Sequence, residues 1–199
     1  MVQAEIMWLS KSVEYNPRLS PLVALYNDYF GGGMGSLVFT TIRESKALAY
    51  ASSSRFRAGN KQGEPYFNTA YIGTQADKIH EAIAAMNELL GNMPLEKNAF
   101  DNAREGIRRQ IETQRIVRTG VLFSYENARR MGLDSDIRQS IYEQLGKIGI
   151  ADIEQFQQTY IKGQPHTLLV LGSKKNIDLE SLKQYGEVIE LSLEEVFGY

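Results

Sequence analysis

The chain has 199 residues, with 22 Lys and Arg against 24 Asp and Glu, two His and no Cys. At a usual ~100–200 residues per domain this is one large domain or two small ones, long enough to bury a core without disulfide or metal. A net charge of −2 argues against a dedicated nucleic-acid binder, and zero cysteine removes disulfides, thiol nucleophiles and cysteine-ligated metal sites.

No apolar run reaches the ~20 residues of a membrane-spanning helix. Met1 to Trp8 lacks the basic-then-apolar order of a signal peptide, so the compartment stays open: a soluble protein, cytoplasmic or periplasmic. Ala4 to Leu9 instead predicts a strand, with Ile6 and Trp8 alternating against Glu5 and Met7. Ser20-Pro21 predicts a helix start, the serine capping free amides, with Leu22, Leu25, Tyr26 and Tyr29 on one face. Gly31-Gly32-Gly33 breaks that helix, as a hinge or as a place where two backbones meet closely. A second helix is expected from about Ser36 to Lys46, with Leu37, Val38 and Ile42 inward.

Leu48–Arg57 and Tyr66–Thr74 read as paired strands around a polar loop, Ala58 to Pro65. In the first, small Ala49, Ala51 and Ser53 are expected to face helices, leaving Tyr50, Ser52 and Ser54 on a more polar side. Four helical stretches follow. Ile79–Leu90 and Phe100–Ile111 carry clear apolar stripes, Val121–Met131 and Ile137–Ile148 are shorter, and Asp152–Ile161 adds one more helix. Thr167–Leu171 is an unbroken apolar run, as in a strand buried within a sheet, and Glu187–Leu191 predicts a last strand. Helices in blocks favour an α+β fold over a doubly wound sheet: a two-layer sandwich of a mostly antiparallel sheet covered on one face by helices. No linker or repeat divides residues 1–199, so a single domain is expected.

Chemistry is sparse. His80-Glu81 lacks a second histidine, because Ala84 stands where His-Glu-x-x-His needs it, and His166 has no ligand partner nearby. The chain alone carries no recognisable metal centre. The glycine run lacks the Gly-Lys-Ser/Thr of a phosphate loop and follows a helix, not a strand. Arg104, Arg108, Arg109, Arg115 and Arg118 interleave with Asp101, Glu105 and Glu112, as on a solvated helix laced by Glu105–Arg109 and Arg108–Glu112 pairs.

The stretch from Tyr29 to Tyr50 is more specific. Its glycine break, Leu37-Val38-Phe39, Arg43-Glu44 and Leu48-Ala49-Tyr50 resemble the C-terminal half of pitrilysin/insulinase-like zinc peptidases, and the later layout is similar over nearly the whole chain. That resemblance implies a domain of a two-halved peptidase, the last domain of a longer chain, with the ending Glu194 to Tyr199 as its terminus. It implies that the zinc-binding His-x-x-Glu-His lies in the N-terminal half, where zinc polarises the scissile carbonyl; the motif is absent here. Arg43 and Tyr50 match the pair that holds substrate backbone across the cleft. A guanidinium offers a planar fork of donors and a phenol one donor for a developing oxyanion. Expected partners are therefore the zinc-bearing half and an extended peptide, gripped partly by addition to a sheet edge. A homo-oligomer stays open. So do a non-catalytic scaffold or partner subunit of a processing-peptidase-like assembly, and more remotely a nucleotide binder.

Overall fold

The computed structural model describes residues 3–115 and 117–198. Met1 and Val2, ahead of the first expected strand, and Tyr199, at the expected terminus, lie outside the described residues. Strand β1 (Gln3–Glu14) leads through a 3-10 turn (Pro17–Leu19) into helix α1 (Ser20–Phe30). A π-helix (Phe39–Ser45) precedes the hairpin β2 (Ala51–Arg57) and β3 (Pro65–Gln75). Helices α2 (Ile79–Gly91), α3 (Lys97–Thr113), α4 (Arg118–Arg130), α5 (Ile137–Leu145) and α6 (Ile150–Tyr160) come next. The chain continues as strand β4 (Thr167–Gly172) and two short helices, α7 (Leu179–Leu182) and α8 (Leu193–Phe197). The strands form one antiparallel sheet in the order β2-β3-β1-β4. This is the expected α+β sandwich, with helices on one face of the sheet.

Alternation along β1 decides which face is which. Ala4, Ile6, Trp8 and Ser10 are buried toward the helices, while Glu5, Met7, Leu9 and Lys11 stay exposed on the open face. The covered face meets an aromatic cluster in which Phe56 stacks on Tyr66 at 4.9 Å and meets Phe156 edge-on at 5.1 Å. Tyr26 joins them, 4.8 Å from Phe156. Burying these rings away from water is the largest favourable contribution to folding, ~1.5–3 kcal/mol for each large side chain.

Two polar side chains within that core bond to each other and tie three helices. The Tyr26 hydroxyl donates to Gln157 Oε1 at 2.7 Å, and Gln157 Nε2 donates to the Leu90 carbonyl at 2.6 Å, tying α1, α6 and α2 together. Burial pushes the Tyr26 phenol well above its ordinary pKa, so it remains a donor. Tyr26→Phe orphans a buried acceptor, at a cost of about 1–3 kcal/mol. A melting temperature lower by roughly 2–4 °C per kcal/mol should register it, and an unchanged one would show that Gln157 finds another donor.

Several local expectations are corrected. Ser20 does not cap α1: the preceding turn supplies the entry, with Asn16 accepting from the Arg18 amide at 3.0 Å. Strand β2 begins at Ala51, three residues later than expected, and its faces are reversed. Ser54 and Phe56 are buried toward the helices, and Arg55 and Arg57 are exposed. Thr167–Leu171 forms a strand, but at the sheet's end, so only Leu168 and Val170 pack on the core. Glu187–Leu191 forms no strand; an ion pair between Lys174 and Glu190 and the packing of Val188 on the core hold that segment. A strand needs a neighbouring ladder, and an alternating sequence does not supply one.

The arginine-rich face behaves as a solvated surface. Arg109 pairs with Glu105 at 3.0 Å, while Arg108 lies over the Tyr142 ring at 6.0 Å and Glu112 accepts the Tyr142 hydroxyl at 2.6 Å. Helix α4 buries none of its side chains.

Candidate functional site

The π-helix carries Arg43. Its wider turn is closed by the Lys46 amide donating to the Thr41 carbonyl at 3.1 Å, five residues back. Ile42 points into the core and is fully buried, which turns its neighbour Arg43 outward. The Arg43 guanidinium lies over the Phe39 ring at 4.9 Å. A cation–π contact uses no N–H as a hydrogen-bond donor, so the guanidinium fork remains available to a carbonyl or carboxylate. Among the described residues no carboxylate pairs with it.

A tight turn then delivers Tyr50. Ala47 adopts a positive φ of 50°, and the turn is bolted at both ends. The Leu48 amide donates to Ile42 O at 3.0 Å, the Thr74 hydroxyl to Leu48 O at 2.5 Å, and the Tyr50 amide to Gly73 O at 3.0 Å. Lys46 adds an ion pair with Glu88 on α2 at 3.1 Å. Because Tyr50 precedes the strand, its ring escapes the alternation of β2 and sits on the open face of the sheet, against Gly73.

Gly73 makes this placement feasible. A Cβ there would come within 2.4 Å of Tyr50 Cζ and 2.5 Å of its hydroxyl oxygen. Tyr71, two residues earlier on the same face, lies beside the Tyr50 hydroxyl. Burial first, and the neighbouring Tyr50 hydroxyl second, push the Tyr71 phenol up to about 12. Tyr71 therefore keeps its proton, and the Tyr50 hydroxyl stands on an exposed side chain within reach of a ligand. Gly73→Ala is expected to leave the fold intact but swing the Tyr50 ring off β3. Chemical shifts of labelled tyrosine would report the change, and an unmoved Tyr50 signal would contradict the contact.

The structure therefore places Arg43 and Tyr50 at the two ends of one rigid turn, both exposed, without a bond between them among the described residues. Gly31 lies elsewhere, at the end of α1. Its carbonyl accepts from the Ser54 amide at 3.2 Å, and a Cβ would meet Ser54 O at 2.2 Å. Asn27 binds Phe56 from the same helix, Nδ2 to its carbonyl at 2.8 Å and Oδ1 from its amide at 2.7 Å. The edge of β2 is thus closed by α1 over Ser54–Phe56. Tyr71 and Gly73 escaped sequence reasoning, although a glycine inside a strand is a known sign of close approach.

Neither histidine joins the site. His80 ties α2 to the C-terminal segment, with Nε2 2.8 Å from Ser181 Oγ and Nδ1 3.0 Å from the Tyr185 hydroxyl. His166 is exposed, with Nδ1 3.4 Å from Gln164 O. Among the described residues no group of three His, Cys, Asp or Glu side chains is arranged to hold a metal ion. The described residues do not fit a zinc site.

Residues 1–107 match the family model described as the peptidase M16 inactive domain. The chain belongs to this family. No curated protein matches the M16 domain. Solved structures share its fold at low identity. The peptidase M16 inactive domain from Pseudomonas fluorescens superposes with a TM-score of 0.69 at 14% identity, covering 85% of this chain and 41% of that one. A protease from Helicobacter pylori gives 0.71 at 12%, covering 86% and 41%. The periplasmic protease PqqL from Escherichia coli gives 0.58 at 16%, covering 86% and 19%. The M16 domain spans about two fifths of the length of the first two. No helix among the described residues is long and apolar enough to cross a membrane.

Proposed function

We propose that this M16 domain is the substrate-holding, metal-free half of a zinc peptidase, with the metal supplied by another half. The observation that carries this reading is the turn between Arg43 and Tyr50: two donors of different shape, both exposed, at the ends of one turn held by bonds to the π-helix and to β3. Arg43 would take a peptide carbonyl or carboxylate with its planar fork. Tyr50 would donate to a carbonyl oxygen, most strongly as that oxygen becomes anionic during hydrolysis. Backbone addition to a sheet edge contributes less than the sequence implied, because α1 already bonds the β2 edge beside the site. Any hinge in the glycine run would sit at Gly33, where a Cβ would meet nothing within 4 Å, rather than at Gly31.

Mixing the domain with a half that bears His-x-x-Glu-His from the same organism should produce hydrolysis of an unstructured peptide that neither half cleaves alone. A mixture no faster than the zinc-bearing half by itself would overturn the reading.

A further inference from the structure

The open face of the sheet, beside Tyr50, carries an apolar strip that the fold leaves uncovered. Met7 pairs in register with Tyr71 on one side and Leu169 on the other, Leu171 stands opposite Glu5, and Leu9 opposite Thr167. Met7 and Leu9 are 38% exposed, Leu169 44% and Leu171 69%, and Tyr50 at 44% closes the strip at the β3 end. Charged and polar groups frame it: Glu5, Lys11, Arg55 and Thr69.

We propose that this strip is the side-chain recognition surface for the peptide held by Arg43 and Tyr50, selecting extended segments with apolar residues at alternate positions. The inference rests on the substrate-holding reading. Two observations favour a peptide over a folded partner. The strip is contiguous with the Tyr50 ring through Tyr71, so a chain bonded to the phenol already lies on it. Its extent, roughly 300–600 Å² at most for so few half-exposed side chains, is the size of a ligand patch and falls below the ~800 Å² per partner of a standard protein interface. The spacing fits as well. Met7 and Leu9, like Leu169 and Leu171, are two residues apart on neighbouring strands, about 7 Å along the strand, which is also the repeat of same-side residues in an extended peptide.

The test is fluorescence anisotropy of the 199-residue chain with two labelled ten-residue peptides of equal charge, one with Leu and Phe at alternate positions, the other with Ser and Asn there. The apolar peptide should bind at least about tenfold more tightly, and Met7→Asp or Leu169→Asp should remove most of that preference. Circular dichroism and melting temperature identify any variant that fails to fold; Leu171→Ser, at the most exposed position, then replaces it. Equal affinity for both peptides, lost on Arg43→Ala, would overturn the strip and keep the substrate-holding reading. A preference that depends on Met7 and Leu169 but not on Arg43 or Tyr50 would keep the strip and overturn that reading. Binding of neither peptide overturns the strip. So does a dimer in size-exclusion chromatography that Met7→Asp makes monomeric, since the face would then be covered by a second copy.

Discussion

Arg43→Ala, in the M16 domain assembled with its zinc-bearing half, is expected to lower peptide turnover by more than about tenfold, and Tyr50→Phe to do the same. The physical reason differs for the two. Alanine at position 43 removes a charged, two-pronged donor whose in-plane N–H groups have no acidic partner among the described residues, so its loss falls on the ligand and not on the fold. Phenylalanine at position 50 keeps the ring lying on Gly73 and deletes only the hydroxyl, and the turn bonds at Leu48 and Tyr50 remain. Steady-state kinetics separate the roles. A loss in kcat at constant KM marks a bond made only in the transition state, and a loss in KM alone marks plain holding of the peptide. Rates within twofold of the parent for both variants would refute the assigned roles, and unchanged melting temperatures would show that the domain itself is intact.

Gly31→Ala is expected to destabilise the domain by about 3 kcal/mol or more, seen as a melting temperature lower by roughly 6–12 °C for a chain of this size. The added methyl would sit 2.2 Å from Ser54 O and 2.5 Å from Ser54 N, backbone atoms of a paired strand that cannot give way without breaking the β2–β3 ladder. Gly33→Ala is the matched control, with no atom within 4 Å and an ordinary φ. It should be neutral or stabilising by a few tenths of a kcal/mol, through loss of freedom in the unfolded chain. Equal effects at the two positions would mean that the glycine run is a general helix break and not a point of close approach.

The sequence announced this glycine run but left its two readings open, and the same division recurs along the chain. Apolar stripes placed α2, α3 and α6 within a few residues, because a helix closes its own hydrogen bonds and buries one face whatever it packs against. The hairpin was legible from the loop between its strands. The π-helical turn was not: Phe39–Ser45 has the composition of an ordinary helix, and its wider winding accompanies the burial of Ile42 and the bond from Thr74 of β3 to Leu48. Arg43 and Tyr50 were visible as a motif, and their rigid presentation, with Tyr71 and Gly73 beneath the phenol, only in the fold.

What the residues alone determined was the inventory: an α+β chain with its helical faces, a hairpin, a glycine break and an Arg–Tyr spacing, all set by interactions spanning a few positions. Tertiary structure decided which side of β2 is inside, that β4 is an edge, that Glu187–Leu191 has no strand to join, and that Tyr50 lies on an open apolar face. Each of these depends on which distant strand or helix becomes a neighbour, and a period-two pattern fits either face until that neighbour is in place.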